Sequence, residues 1–347
     1  MNGGTLQETA DTRLCEWRRD LHRLGGAGNG SLDQIEAFFG PKCPPGVSPA
    51  NGIDPGLWQK FCRHPGLSGL GIPESHGGAG GGLAELCALF EAAGAAAAAL
   101  PLFGHLAVAA QAILAGGSSA QRSDWLPRIA SGEVLATDGY CPDLDYSSGR
   151  LRGTAQSVPH GAFANLFLVS NDSQSWLVAA DAAGLTIECA PSPDPLRPLA
   201  KIRFDNALAE PLENHHAAGL ALHAAGYLAL AAEAAGVCRA AIEQMEQSCG
   251  SVSTSAFMNA AKAAQLVHIA TELVLRRAPT AQLNLHMAKA GATECVQLLA
   301  HELTDCCRDV GSDETYAALL RGRALGLDML MGPASWHRQE IARLLRG

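Results

Sequence analysis

From Ala217 to Gly347 the chain reads as helix almost without a break, and any fold it adopts must house a long helical bundle. Leu220, Tyr227, Leu228, Ala231, Ala235, Cys238, Ile242 and Met245 recur at three- and four-residue steps and so share one helix face. Ala225, Ala229, Ala232, Gly236 and Ala240 form a second stripe, which lets another helix approach closely because no side chain holds the axes apart. The spacing predicts a second helix from about Ala260 to Ala278, stopped by Pro279, which cannot donate the next hydrogen bond. A third is expected from about Leu283 to Leu303 and a fourth from about Asp313 to Met331. Pro333 suits the first turn of a short last helix through Trp336 and Leu345. Long helices joined by short loops make an antiparallel four-helix bundle.

Ahead of the bundle the pattern changes. Between about Thr137 and Leu212, short apolar or alternating runs occur at Leu166–Val169, Ser175–Ala179, Leu185–Cys189 and Leu199–Phe204. Turn residues at Asn171-Asp172, Asp181–Gly184 and Pro191–Pro198 separate them, which predicts a small β domain. Upstream, a helix is expected over Leu6–Leu24 and a Pro/Gly/Asn-rich surface loop from Gly40 to Pro55. Asp54-Pro55 starts a helix through Trp58 and Phe61, with the Asp as cap and the Pro in the first turn. Helical segments follow at Leu83–Ala98 and His105–Ala115. The glycines of Gly66–Gly80 alone would suit a phosphate cradle, but no Lys-Ser/Thr pair follows and no βαβ unit surrounds them. They read as a tight loop between helices. The expected fold is mostly α with a small β domain: a helical N-terminal domain over 1–136, a β domain over 137–212 and a C-terminal bundle over 213–347.

A net charge of −9 and the lack of any basic run argue against nucleic acid or an anionic membrane as partner. The longest apolar run, Ala93–Leu102, is too short to span a bilayer. The 11 cysteines show neither CxxC pairs nor zinc spacing, and no signal peptide is recognisable. Free thiols in a reducing cytoplasm are therefore expected.

The segments GLSGLGIPESHGGAGG from Gly66, LFEAAGAAAAALPLFGHLAVAAQAIL from Leu89 and WLPRIASGEVLATDGY from Trp125 resemble, in order and spacing, the N-terminal domain of acyl-CoA dehydrogenases. LRGTAQSVPHGAFANLFLVSND from Leu151 is similar to that family's strand–turn–strand segment, and KIRFDNALAEPLEN from Lys201 to its exit strand. The resemblance covers roughly Pro55 to Arg346, although the flavin-contacting T-E-P-x-A-G-S-D segment is replaced by CPDLDYSSG. It implies FAD as cofactor, an acyl-CoA or acyl-carrier thioester as ligand, and Ser157, Val158 and His160 as residues against the flavin. Read on its own, His160 is a solvated loop residue.

The family removes a proton α to the thioester with a carboxylate and passes hydride to FAD. Three bundle motifs serve that chemistry, and each departs from its pattern here. R-x-Q-F-G falls on Ser253-Thr254-Ser255-Ala256-Phe257, without the Arg or the Gly. Q-x-x-G-G-x-G-(Y/F) falls on Glu302–Asp309, with Asp305 and Cys306 in place of the glycine pair. E-G-T-x-E-I-x-R falls on Met331–Arg338, so the base position is Met331, which takes no proton. The alternative base position on the first bundle helix lies near Gly226 and Tyr227, again without a carboxylate, and Glu233 two turns on reads as a solvated or interhelical residue. No catalytic residue is assigned.

Two other chemistries have candidate residues in this sequence. Cys249, Cys306 and Cys307 would be nucleophiles only with an activating His, and none is adjacent in sequence. Glu213, His215 and His216 offer metal-ligand types but read as a capped domain junction. The expectation is an acyl-CoA dehydrogenase-like subunit working with a paralogous partner that carries the base. The alternatives are a homo-oligomeric FAD enzyme with displaced catalytic residues, and a non-redox enzyme or thioester binder without FAD. The small-residue stripes exceed the needs of one bundle core, which predicts homo- or hetero-oligomers.

Overall fold

The computed structural model describes residues 32–39 and 51–346. The expected helix Leu6–Leu24 and most of the expected loop after Gly40 lie outside the described residues.

The N-terminal domain comprises α1 (Leu32–Phe39), α2 (Pro55–Arg63), α3 (Leu83–Ala95), a π-helix (Phe103–Ala110) running into α4 (Gln111–Gly116), and α5 (Ser119–Ala130). Asp54 caps α2 by accepting from the Leu57 N–H at 2.9 Å. The Gly66–Gly80 loop closes on itself through a Leu70–Gly80 bridge, and Gly71 at φ +84° makes a turn that side-chain-bearing residues rarely adopt. The sequence pattern read the π-helix as ordinary helix, because the wider i→i+5 bonding leaves the apolar run unchanged.

The β domain consists of two four-stranded sheets. One has the order β1 (Ala136–Tyr140), β4 (Leu166–Ser170), β5 (Ser175–Ala179), β8 (Glu210–Pro211), with β1 parallel to β4. The other is antiparallel, in the order β2 (Asp145–Ser147), β3 (Arg150–Pro159), β7 (Leu199–Leu208), β6 (Leu185–Ala190). Inward residues such as Leu151, Phe167, Trp176, Val178, Ile202 and Phe204 form its core. Strand β1, Ala-Thr-Asp-Gly-Tyr, shows no strand pattern of its own and is set by pairing with β4.

The bundle is α6 (His215–Cys249), α7 (Thr254–Leu275), α8 (Ala281–Val310) and α9 (Thr315–Met329), with α10 (Ala334–Leu345) packed on α8. Asn214 caps α6 through the Ala217 N–H at 3.0 Å, so His215 and His216 open a helix. Helix α7 ends before Pro279, because Arg277 turns to φ +51° just past Leu275. By length and composition α6 could cross a membrane, yet 78% of its apolar window is buried inside the protein.

Much of the small-residue stripe on α6 is used within the chain. A side chain on Gly236 would meet the Glu91 carbonyl, and one on Gly94 the Glu233 carbonyl, so α3 and α6 touch backbone to backbone. That contact occupies surface which the sequence reading assigned to oligomer formation.

The expectation of free thiols throughout needs a correction: Cys249 and Cys306 are joined in a disulfide. Their Cα atoms are 6.3 Å apart although 57 residues separate them in sequence. Helices α6 and α8 run in the same direction, which brings their C-terminal ends together, and spacing in the sequence carries no sign of it. The other described cysteines, Cys307 among them, are free.

Candidate active-site cleft

A cleft of about 1040 Å³ opens between the β domain and the bundle. Its β wall is polar, with Asp138 and Tyr140 from β1, Ser157 from β3 and Ser170–Ser175 from the β4–β5 turn. Its helical wall is largely apolar, with Leu220, Leu222 and Tyr227 from α6, Met329 at the end of α9, Leu330 and Met331 after it, and Trp336 from α10. Val108 of the π-helix completes it, and His215, His216 and His223 also face it.

The three residues expected against a flavin separate. Ser157, at φ +54° where β3 slips register against β7, lines the cleft. Val158 is buried in the β-domain core. His160 is buried, not solvated as its loop position suggested. Its N–H donates to the Pro198 carbonyl at 2.7 Å, and its ring Nε2 has no partner. Burial, helped by the charge of Arg197, pulls the imidazole down to about 3, so it is neutral.

At the position matching the family's base, Met331 lines the cleft at φ +53°. Its thioether lies where a side chain on Gly226 would begin. The turn is held from below. The Lys289 ammonium donates to the carbonyls of Asp328 and Gly332, and burial lowers it to about 8. His286 and His337 share a hydrogen bond between their Nδ1 atoms at 2.8 Å, and the Tyr227 ring lies 4.8 Å from that of His337. Burial, then Lys289 and His286, brings His337 to about 3.

Glu233 is interhelical and buried rather than solvated. Arg197 Nη2 donates to its two carboxylate oxygens at 2.8 and 2.7 Å, and Arg323 Nη2 donates to Oε1. Asp194 Oδ2 lies 3.9 Å from Arg197 Nη1 and 3.8 Å from Arg323 Nη1. Burial works against the Arg197 charge, and Glu233 with Asp194 outweighs it. Asp194, Arg197 and, beside them, Asp138 all border the cleft. Sequence reasoning missed Asp138, Asp194, Arg197 and Arg323. The one available signal was an Asp and an Arg inside the Pro191–Pro198 turn, a richer segment than a plain connection requires.

At the far end of the bundle, Ser253 Oγ caps α7 through the Ala256 N–H at 3.0 Å and donates to the Glu302 carboxylate. These positions match the Arg of the first departed motif and the Gln of the second. The Cys249–Cys306 bond lies at the same end of α6 and α8.

Residues 32–133 match the family model described as "Acyl-CoA dehydrogenase, N-terminal domain". The acyl-CoA dehydrogenase FadE34 of Mycobacterium tuberculosis is 30% identical over 262 residues, 67% of this chain and 35% of that protein. IpdE2 of Mycolicibacterium smegmatis, also an acyl-CoA dehydrogenase, is 30% identical over 135 residues, 39% of this chain and 34% of that protein. The chain belongs to the acyl-CoA dehydrogenase family. Its matches span only about a third of the length of these two curated relatives. The acyl-CoA dehydrogenase fold extends over nearly the whole chain. A glutaryl-CoA dehydrogenase from Mycobacterium smegmatis in complex with FADH2 superposes with TM-score 0.78 at 17% identity, covering 94% of each chain. The ChsE4–ChsE5 complex from Mycobacterium tuberculosis gives TM-score 0.74 at 19% identity, covering 99% of this chain and 96% of that one.

Acyl-CoA dehydrogenases bind FAD, and the cleft fits only part of it. Its volume and mixed walls suit an uncharged ring system. The diphosphate is another matter. Among the described residues the only Arg or Lys on the cleft lining is Arg197, already engaged by Glu233 and Asp194, while Asp172 adds negative charge. The described residues of this chain do not fit the charged half of the dinucleotide.

Proposed function

We propose that this chain is the base-deficient subunit of a heteromeric acyl-CoA dehydrogenase, contributing a cleft and bundle surface to the α,β-dehydrogenation of an acyl thioester. The observation that carries the reading is Met331 against Gly226. Both places where the family keeps its carboxylate are apolar, on a scaffold otherwise intact. A base for α-proton removal must sit within hydrogen-bonding reach of that proton, so the partner supplies it, together with the cationic grip on the FAD diphosphate. The fold likeness to a chain of the ChsE4–ChsE5 complex supports such pairing.

Co-expression with a base-carrying acyl-CoA dehydrogenase paralogue tests the reading. The expected product is a stable yellow complex that oxidises an acyl-CoA, while the chain purified alone is colourless. A yellow, active protein from this chain alone would overturn it. A second reading, a thioester binder without flavin, is favoured by the apolar wall of Leu220, Leu222, Met331 and Trp336, which suits an acyl chain. It predicts a colourless protein that binds acyl-CoA with no partner.

A further inference from the structure

Asp138 is a carboxyl on the cleft that the fold leaves without a counter-charge of its own. The π-helix comes close to it because residue 104 is Gly: a side chain there would lie 2.9 Å from the Thr137 Cα and 3.1 Å from Asp138 Oδ1. That oxygen is buried and, among the described residues, accepts no hydrogen bond from another side chain. Every charged or titratable group near it is committed. Arg197 and Arg323 are matched by Glu233 and Asp194, two cations against two anions. His160, in the turn after β3, is neutral. His105 of the π-helix is neutral as well, held by burial at about 4, with Nδ1 accepting from the Ala136 N–H at 3.2 Å. Tyr140, two residues along β1, donates its phenol to Asp172 at 2.6 Å. Across the cleft stand Tyr227 and His223 of α6. The network is electroneutral only when Asp138 carries a proton, and a buried group avoids unpaired charge by taking one up. Burial accordingly pushes its carboxyl up to about 6, against the opposing effects of its own backbone N–H and of Arg197.

We propose that Asp138 is a ligand-binding acid: it meets the ligand as a neutral carboxylic acid and donates its proton in a hydrogen bond to the ligand's carbonyl oxygen. Taking that carbonyl to be the thioester's rests on the acyl-thioester reading above. A protonated carboxyl is a donor, whereas the ionised form only accepts and repels a carbonyl. The polar β wall then orients the carbonyl while Met331 and Trp336 hold the acyl chain opposite.

The test compares octanoyl-CoA with octyl-CoA, its thioether analogue without the carbonyl, by titration calorimetry at pH 5 and pH 8. The protein is the full chain, with its partner if the complex forms and alone otherwise. Wild type is expected to prefer octanoyl-CoA about fivefold at pH 5, the worth of one hydrogen bond, and to lose that preference at pH 8. Asp138→Asn keeps an N–H donor at the same place, so its preference persists at both pH values. Asp138→Ala shows no preference at either. Asn retains His215, His216 and His223, so any pH dependence of those imidazoles remains in that variant and is separated from Asp138. Equal binding of the two ligands by wild type at both pH values overturns the role of Asp138 and leaves the thioester reading standing. So does a wild-type preference that Ala retains. Failure of either ligand to bind at either pH overturns both.

Discussion

Met331 and Gly226 compete for one space: the thioether of the first occupies the volume in which a side chain on the second would start. Gly226 is fixed in the buried middle of α6, whereas Met331 sits in a strained turn at φ +53° with a flexible side chain. Gly226→Ala must therefore displace Met331, at about 1–3 kcal/mol of overpacking. In Gly226→Ala/Met331→Ala the new methyl group enters the space the thioether has left. The double variant should be more stable than the two single losses sum to. Urea denaturation of the four proteins reads this directly, and strict additivity would show that the two residues do not touch in solution.

The ion cluster at Glu233 makes a second prediction. Glu233→Gln leaves Arg197 and Arg323 buried with Asp194 as the carboxylate still within ion-pair distance of both. Breaking a buried pair from one side costs on the order of 3–5 kcal/mol, because the remaining charges stay desolvated. Chemical denaturation should show a loss of that size. A loss below about 1 kcal/mol, the worth of an exposed pair, would mean that water reaches the cluster.

Glu233 also marks where sequence reading stops. The bundle was legible because helical periodicity is a local signal: Leu228, Ala231, Ala235 and Cys238 declare one buried face within a dozen residues. A lone Glu on that helix declares nothing about its partners, which lie 36 and 90 residues away. The same holds for Cys249 and Cys306, and for the α6 stripe, whose partner α3 belongs to a different domain. Asp138 was hidden for another reason. Its strand carries Asp and Gly and forms only because β4 runs alongside. The departures at Ser253, Glu302 and Met331 were legible, since they are read residue by residue against a motif and need no tertiary contact.

The segment carrying Asp194 and Arg197 is seated on α9 by two glycines one turn apart. A side chain on Gly322 would strike the Pro193 carbonyl, and one on Gly326 would lie 2.7 Å from the Asp194 Cβ. In an open helix Gly→Ala gains about 1 kcal/mol of propensity. Here each substitution should instead destabilise, by about 1–3 kcal/mol, with Gly322→Ala the worse because its obstacle is backbone. Thermal melts and amide exchange over residues 191–198 check this. An Ala variant that melts higher than wild type would show that the loop does not dock as closely as described.

Lys289 gives the last prediction, and its sign follows from the direction of its shift. It is fully buried, its ammonium is held by two carbonyls, and desolvation lowers it from 10.5 to about 8. Below pH 8 the lysine is charged both folded and unfolded, and the desolvation cost is present in full. Between about pH 8 and 10.5 the unfolded chain binds the proton and the folded chain does not, so stability rises with pH. Wild type should gain on the order of 3 kcal/mol across that window from this group. Lys289→Met lacks the group and also leaves the Asp328 and Gly332 carbonyls without their donor, so the two proteins differ in absolute stability at every pH. The informative quantity is the slope of their difference, in which the titrations of buried cysteines and tyrosines cancel. Wild type should close on or overtake the variant between pH 8 and 10.5, measured by urea unfolding. Parallel curves over that interval would mean that the ammonium stays hydrated and that the Met331 turn rests on something other than a buried lysine.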